Sequence, residues 1–235
     1  MLKNILLSLL VVIALVLTST QVFAFNPQFE ISNQDAEEFV DLINRYQLFN
    51  DTAYNLNGTQ VSDNCTVFMD KANAMGDLGK YISQELQTNS KKYSNLLNAS
   101  SLNLACPKYP KMDLKQKSVV ITLMLTAMAH FESSCNINAS TKGPNGRTGG
   151  FWQLHKGKEQ NYDSQDICQM NDSLKPAASA RCTLSMLDDQ VKRANGEIFS
   201  RGSYWDVLRP QGRAKKAGVI KRTLQNFSLC KSLVI

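Results

Sequence analysis

The sequence predicts a mainly α-helical fold, and two observations carry that prediction. The stretch from Ser118 to Phe131 holds no charged residue and is apolar on every face, but it is too short to cross a bilayer. Such a run is typical of a helix buried in a protein core. Elsewhere apolar residues recur at three- and four-residue spacing, whereas strand-like patterns are few and no internal repeat is present.

The N-terminal segment, residues 1–24, has the pattern of an export signal. Lys3 supplies the positive end, an apolar stretch runs from Ile5 to Leu17, and Val22-Phe23-Ala24 resembles a small-residue cleavage pattern. An uncleaved membrane anchor is the alternative, although the apolar stretch is short for a span. We therefore expect an exported protein, periplasmic or secreted, with no stable membrane anchor after the signal is removed.

All the cysteines lie in the exported part, and their even number predicts up to three disulfides in an oxidising compartment. The sequence does not choose among the possible pairings. A zinc site would need close ligand pairs such as C-x-x-C, which are absent, and we expect neither a metal nor a cofactor. The disulfide candidates are Cys65, Cys106, Cys135, Cys168, Cys182 and Cys230.

Before the buried helix, the chain predicts an N-terminal helical subdomain over residues 25–112. Asp35 to Phe49 has the spacing of an amphipathic helix, and a second helical region is expected across Val67 to Asn98. Leu96 to Pro110 is predicted to be a connection, because its X-Pro steps oppose helix. A second domain is then expected over residues 113–235.

Within this second domain, Asp113 is placed to cap the buried helix. The stretch 138–150 is rich in glycine and is predicted to be a loop. An outer helix is expected where Leu184, Leu187, Val191, Ala194 and Ile198 repeat at helical spacing, and a basic helix is expected near the C-terminus.

The formal net charge is +6, and positive charge is concentrated at the C-terminal end, where no acidic residue follows Val207. Such a segment could face an anionic polymer, such as a bacterial wall or a lipid surface, or could be a solvated helix face with no partner. Nucleic acid is not supported, because no binding motif is present. The basic residues are Arg209, Arg213, Lys215, Lys216, Lys221, Arg222 and Lys231.

Glu132 is the first charged residue after the apolar run. A carboxyl group at the end of a helix buried in the apolar core loses hydration. Desolvation disfavours its charged form, so its pKa should rise. A general acid that works near neutral pH requires such a shift. The alternative is an ordinary surface acid at a helix end.

Three groups of residues carry a resemblance to a known family. Glu132-Ser133, Asn138-Ala139-Ser140 and Gly150-Phe151-Trp152-Gln153-Leu154 resemble the core motif of soluble lytic transglycosylases and goose-type lysozymes. Residues 204–210 look like a disulfide-bearing bacterial branch of that family. The resemblance covers roughly residues 113–230. It implies a lysozyme-like helical fold that cleaves the β-1,4 bond of peptidoglycan between N-acetylmuramic acid and N-acetylglucosamine.

The resemblance also implies roles for particular residues. Glu132 matches the catalytic acid, and the residues that match or replace the family's sugar-site positions are Ser140, Phe151, Trp152, Gln153 and Tyr204. Tyr204 stands in for a family tyrosine, because the usual Ala-Tyr-Asn segment is absent. The competing interpretation of Trp152 and Gln153 is a core aromatic beside a helix and an amide that satisfies loop backbone.

The implied reaction is lytic transglycosylation of peptidoglycan glycan strands by a monomer. The muramic acid C6 hydroxyl would attack after Glu132 has protonated the leaving oxygen, so one protein carboxylate is sufficient. A lysozyme-type hydrolase is the alternative and usually needs a second carboxylate. Its candidates are Glu159, Asp163, Asp166, Asp172 and Asp206. A non-catalytic wall-binding protein on the same fold is a third hypothesis.

Overall fold

The structure is a computed structural model that describes residues 63–69, 75–143, 145–227 and 229–230. All of them belong to the unit Gln34–Ile235. The predicted export signal, the predicted helix from Asp35 to Phe49 and the basic residue Lys231 lie outside the described residues.

The described chain is mainly helical, which confirms the predicted fold class. Short 3₁₀ turns join the helices at Asp63–Val67, Tyr109–Lys111, Glu159–Tyr162, Asp172–Leu174 and Asp206–Leu208. The α-helices are α1 (Asp77–Thr88), α2 (Ser94–Leu97), α3 (Ser100–Ala105), α4 (Leu114–Ser133), α5 (Pro176–Arg193) and α6 (Ala217–Asn226).

Helix α4 is the predicted buried helix. Every residue from Ser118 to His130 is buried, so all faces of the helix contact other parts of the chain. Asp113 caps it as predicted, since its side chain accepts a hydrogen bond from the Gln116 N–H and the Gln116 side chain accepts one from the Asp113 N–H. Helices α1 and α6 pack directly on α4, while α1 and α2 pack on α5.

Two helical boundaries differ from the predictions. The stretch from Leu96 to Pro110 is not a plain connection, because α3 forms within it and buries Leu102 against the core. The outer helix begins earlier, at Pro176, where proline is well tolerated in the first turn. It ends at Arg193, so Ala194 and Ile198 lie beyond it.

The predicted loop over 138–150 is wrong, because this stretch forms a β-hairpin. Strand β1 (Ser140–Gly143) pairs antiparallel with β2 (Gly146–Gly149), which in turn pairs with β3 (Leu154–His155). Gly150 follows the hairpin with a φ of +77°, and a Cβ there would lie 1.9 Å from the Ser173 carbonyl oxygen. Only glycine fits this close approach, which brings the sheet against the 3₁₀ turn Asp172–Leu174.

All six cysteines are paired, as Cys65–Cys135, Cys106–Cys230 and Cys168–Cys182. Three disulfides fit an exported protein. The first two bridges join residues on either side of the predicted domain boundary at 112, and one hydrophobic core contains buried residues from both sides. Within the described residues, no helix is long and apolar enough to cross a membrane.

A disulfide that closes a longer stretch of chain should contribute more to the free energy of unfolding than one that closes a shorter stretch. We expect replacement of Cys65 and Cys135 by alanine, which opens a separation of 70 residues, to cost about 4 kcal/mol. The same change at Cys168 and Cys182, with a separation of 14, should cost about 3 kcal/mol. Urea unfolding of the two double variants measures both values, and a larger loss at Cys168–Cys182 would contradict the chain-entropy argument.

Candidate active site

A cavity of about 750 Å³ opens at the C-terminal end of α4. Its walls come from α4, the hairpin, the segment that follows β3, one face of α5 and the segment 202–209. We refer to it as the central cavity. The lining residues are Glu132, Thr141, Gly143, Asn145, Thr148, Gln153, His155, Asn161, Tyr162, Asp163, Ser164, Met186, Gln190, Arg193, Gly202, Ser203, Tyr204, Trp205, Asp206 and Arg209.

Glu132 lies in the last turn of α4 and faces this cavity. Burial raises the pKa of its carboxyl from 4.5 to about 7; the negative charge of Asp206 adds to the shift and the positive charge of Arg209 opposes it. The partial negative charge at a helix C-terminus also disfavours a carboxylate at this position. No donor in the described residues hydrogen-bonds to the carboxyl. The protonated form is therefore well populated near neutral pH.

The end of α4 is held by several bonds that orient Glu132. The Ser133 hydroxyl contacts two carbonyl oxygens, Ala129 at 3.0 Å and Phe151 at 2.8 Å, which ties the helix to the segment after the hairpin. Ser134 takes a left-handed conformation that stops the helix. Cys135 then bridges to Cys65, so the residues that follow Glu132 are anchored covalently.

Most of the other candidate carboxylates have structural roles. Glu159 is buried and accepts bonds from the N–H groups of Asn171 and Ser173. Asp172 accepts from the Gln169 N–H at 2.8 Å. Asp163 reaches the cavity wall, but backbone N–H groups and the Ser185 hydroxyl donate to both of its oxygens. Asp166 is not among the lining residues.

Asp206 is the remaining carboxylate candidate and it lies in the same cavity as Glu132. One of its oxygens accepts from the Ala214 N–H at 2.7 Å, and the other lies 3.6 Å from the Arg209 guanidinium. Arg209 in turn donates to the Ser203 carbonyl at 2.7 Å. The cavity thus contains one carboxyl that favours its proton and, beside it, one carboxylate held by a cation and a backbone donor.

Tyr204 lines the cavity within an aromatic cluster that the sequence analysis did not anticipate. Its hydroxyl lies 2.7 Å from Nδ1 of His155 and donates to the Gln153 carbonyl at 3.3 Å. His155 stacks on Tyr162, with ring centroids 4.7 Å apart. Burial lowers the pKa of His155 and raises that of Tyr204, so the neutral form of each side chain is favoured. The one sequence signal for this cluster is that His155 directly follows the Gly-Phe-Trp-Gln-Leu motif.

Gln153 also lines the cavity, but its amide is used by the protein itself. Its nitrogen donates to the carbonyls of Ala139 at 3.2 Å and Gly150 at 2.9 Å. Its oxygen accepts from the hydroxyls of Thr141 and Thr148. The residue therefore fixes the inner face of the hairpin, as the competing interpretation from sequence held.

Three of the residues predicted to contact sugar are not in the cavity lining. Trp152 is fully buried, and its indole N–H donates to the Leu125 carbonyl in α4 at 2.9 Å. Phe151 is buried edge-on against Phe68. Ser140 is exposed on β1 and donates to the Thr148 carbonyl. For Phe151 and Trp152 the sequence alone does not separate core packing from sugar contact, because both favour the same aromatic side chains.

No group of three or more His, Cys, Asp or Glu side chains in the described part of the chain could hold a metal ion. The other histidine of the chain, His130, is buried in α4. Burial is the main cause that lowers its pKa to about 4, and the positive charge of Lys216 adds to the shift. It therefore stays neutral within the core.

No family model and no curated protein sequence matches the chain. Among solved structures, it is similar to Bd0314 DslA, a Bdellovibrio protein. The wild-type form 2 is 24% identical with a TM-score of 0.53, and the match covers 66% of this chain and 91% of that one. Two mutants with glutamate replaced by glutamine match over the same shares, at 25% identity with a TM-score of 0.54 and at 24% with 0.52. These similarities show a shared fold.

The burial of Glu132 should appear as a pH-dependent stability difference. Because the folded-state pKa is raised, the folded chain binds more protons than the unfolded chain between the two pKa values, and wild-type stability falls as pH rises through about 4.5 to 7. Glu132→Gln has no such proton to lose. We expect its stability relative to wild type to increase by about 2 to 3 kcal/mol between pH 4 and pH 8.

Urea unfolding at several pH values measures this difference. Glu197→Gln, the same chemical change at an exposed position, serves as the control. A difference between Glu132→Gln and wild type that is constant across the range would contradict the raised pKa.

Proposed function

We propose that this protein is an exported enzyme that cleaves the β-1,4 glycosidic bond between N-acetylmuramic acid and N-acetylglucosamine in peptidoglycan. The observation that carries the proposal is the carboxyl of Glu132. It sits at the wall of a cavity, is held by no donor in the described residues and has a pKa raised to about 7. A group of this kind can deliver a proton at neutral pH.

In the proposed reaction, Glu132 protonates the oxygen of the leaving sugar while positive charge develops on the ring of the other sugar. The glycosidic C–O bond breaks, and Glu132 becomes ionised. It then accepts a proton from the attacking hydroxyl. If that hydroxyl is the C6 hydroxyl of the same muramic acid, the product is a 1,6-anhydro end; if it is water, the product is a reducing end.

Two further observations support the proposal, one on the substrate and one on the catalytic acid. The central cavity is open and combines hydroxyl and amide groups with the rings of Tyr162 and Tyr204. Such a mixture suits a sugar chain, which has both polar and apolar faces. Two structures of the similar protein DslA carry a glutamate-to-glutamine replacement, the substitution that tests a catalytic acid.

Lytic transglycosylation needs only Glu132, and it is the reaction that the sequence resemblance implies. Hydrolysis is the second candidate, and Asp206 is the observation in its favour. This carboxylate lines the same cavity and acts electrostatically on Glu132. It lies 3.6 Å from the Arg209 guanidinium, and a carboxylate at this position could orient a water or stabilise the sugar cation.

Replacement of the proposed acid should abolish cleavage without loss of the fold. We expect Glu132→Gln to reduce the rate of release of soluble fragments from purified peptidoglycan by about 100- to 10,000-fold, because an amide cannot deliver the proton. Glu197→Gln should retain activity. Unchanged activity in Glu132→Gln would refute catalysis by this residue, and no activity in the wild type would favour a non-catalytic wall-binding protein.

The pH dependence of cleavage should follow the charges around Glu132. Activity should fall above about pH 7 as Glu132 loses its proton. Asp206→Asn removes a neighbouring negative charge and should move this alkaline limb to lower pH, whereas Arg209→Gln should move it to higher pH. A limb that stays in place in both variants would show that another group controls it.

Mass spectrometry of the products in the same samples separates the two reactions. Anhydro ends support lytic transglycosylation. Reducing ends support hydrolysis, in which case Asp206→Asn should also lower the maximal rate.

A further inference from the structure

The three-stranded sheet presents different chemistry on its two faces. Thr141 pairs with Thr148, and Thr148 pairs with His155, so these three side chains form a row across the sheet. All three line the central cavity. Because successive side chains in a strand point to opposite faces, the neighbouring residues lie on the face away from the cavity.

That second face carries three positive charges in a row. Lys142 pairs with Arg147 in the register of β1 and β2. The Lys156 N–H donates to the Arg147 carbonyl at 2.9 Å, which continues the β2–β3 register by one residue. Adjacent strands lie about 4.8 Å apart, so the three residues follow one another at that interval. We call Lys142, Arg147 and Lys156 the cationic row.

Among the residues that the structure describes, the cationic row has no electrostatic partner. All three side chains are exposed, and no carboxylate in the described residues lies within ion-pair distance of any of them. Like charges directly opposite each other destabilise a sheet. The arrangement therefore costs the fold some stability, and an anionic partner would offset that cost.

The basic residues near the C-terminus differ in this respect. The Lys216 ammonium lies 4.9 Å from the centre of the Phe131 ring, and that of Lys221 lies 4.8 Å from the Phe199 ring. Arg209 is paired with Asp206 inside the central cavity. Several of these cations thus contact aromatic rings or a carboxylate of the protein itself, whereas the side chains of the cationic row face outward.

We propose that the cationic row binds carboxylates of the peptide stems on a peptidoglycan strand next to the one held in the central cavity. This inference rests on the proposed function, which makes a cross-linked polymer the substrate. In such a polymer, neighbouring strands lie close together and their stems carry closely spaced carboxylates. A sheet one layer thick separates the two faces, so one strand can occupy the cavity while its neighbour lies against the cationic row.

Wall binding by catalytically impaired chains tests this proposal. In the Glu132→Gln background, Lys142, Arg147 and Lys156 are replaced together by glutamine. The matched control replaces three scattered, exposed lysines, Lys91, Lys111 and Lys192, and loses the same net charge. Sedimentation with insoluble purified peptidoglycan measures affinity at low salt.

We expect the row variant to bind roughly tenfold more weakly than its parent, and the scattered control to stay within about twofold. The difference should shrink at high salt and disappear on peptidoglycan whose carboxylates have been amidated. Urea unfolding should show the row variant to be no less stable than its parent, because a repulsion has been removed.

Equal affinities of the two triple variants would overturn the proposal, as would no detectable wall binding by the parent. A difference that vanishes on walls stripped of phosphate polymers, but persists on amidated walls, would assign the row to phosphate and overturn the carboxylate. Cleavage of soluble, peptide-free glycan strands by the unsubstituted chain tests the proposed function separately, since no stem is present there.

Discussion

The burial of the Glu132 carboxyl depends on the uncharged stretch of α4 that precedes it, from Ser118 to Phe131. A helix that buries every residue from Ser118 to His130 can pack at the centre of the fold, and its last turn then emerges at the boundary between core and cavity. A carboxyl at that boundary loses much of its hydration. Burial is accordingly the largest cause of the raised pKa, with the charge of Asp206 second.

Burial alone does not distinguish Glu132 from the other acids of this protein. Burial would also raise the pKa of Glu159 and Asp189, yet the pKa of each is lowered, because N–H and hydroxyl donors stabilise the charged form. Those carboxylates hold loops together. Glu132 has the desolvation without a hydrogen-bond donor among the described residues, and that combination raises its pKa to about 7.

The parts of the fold that could be predicted from sequence depend on local patterns. The composition of α4, the capping aspartate Asp113 and the acid at the helix end are visible in a short window of residues, and the structure has each where it was expected. The even number of cysteines predicted up to three bridges, but not their pairing, because the pairing depends on which distant residues the fold brings together.

The hairpin and the aromatic cluster could not be predicted in the same way. Strands β1 and β2 are short and contain glycine and lysine, which are depleted in strands, so their composition gives little strand signal. They are stabilised by pairing and by the Gln153 amide oxygen, which accepts from Thr141 on one strand and Thr148 on the other. Tyr204 and His155 are 49 residues apart in sequence. The roles of Trp152 and Gln153 were a choice between two plausible uses, and only packing could decide it.

The hairpin also shows why the position of charge along a sequence is a weak guide to a binding surface. The C-terminal segment has the densest basic composition, but several of its cations contact aromatic rings or Asp206. Lys142, Arg147 and Lys156 are separated by neutral residues, and strand pairing places them side by side. The alternation that turns their neighbours toward the cavity turns these three outward. Strand register thus determines which charges gather on one surface and which side chains line the cavity.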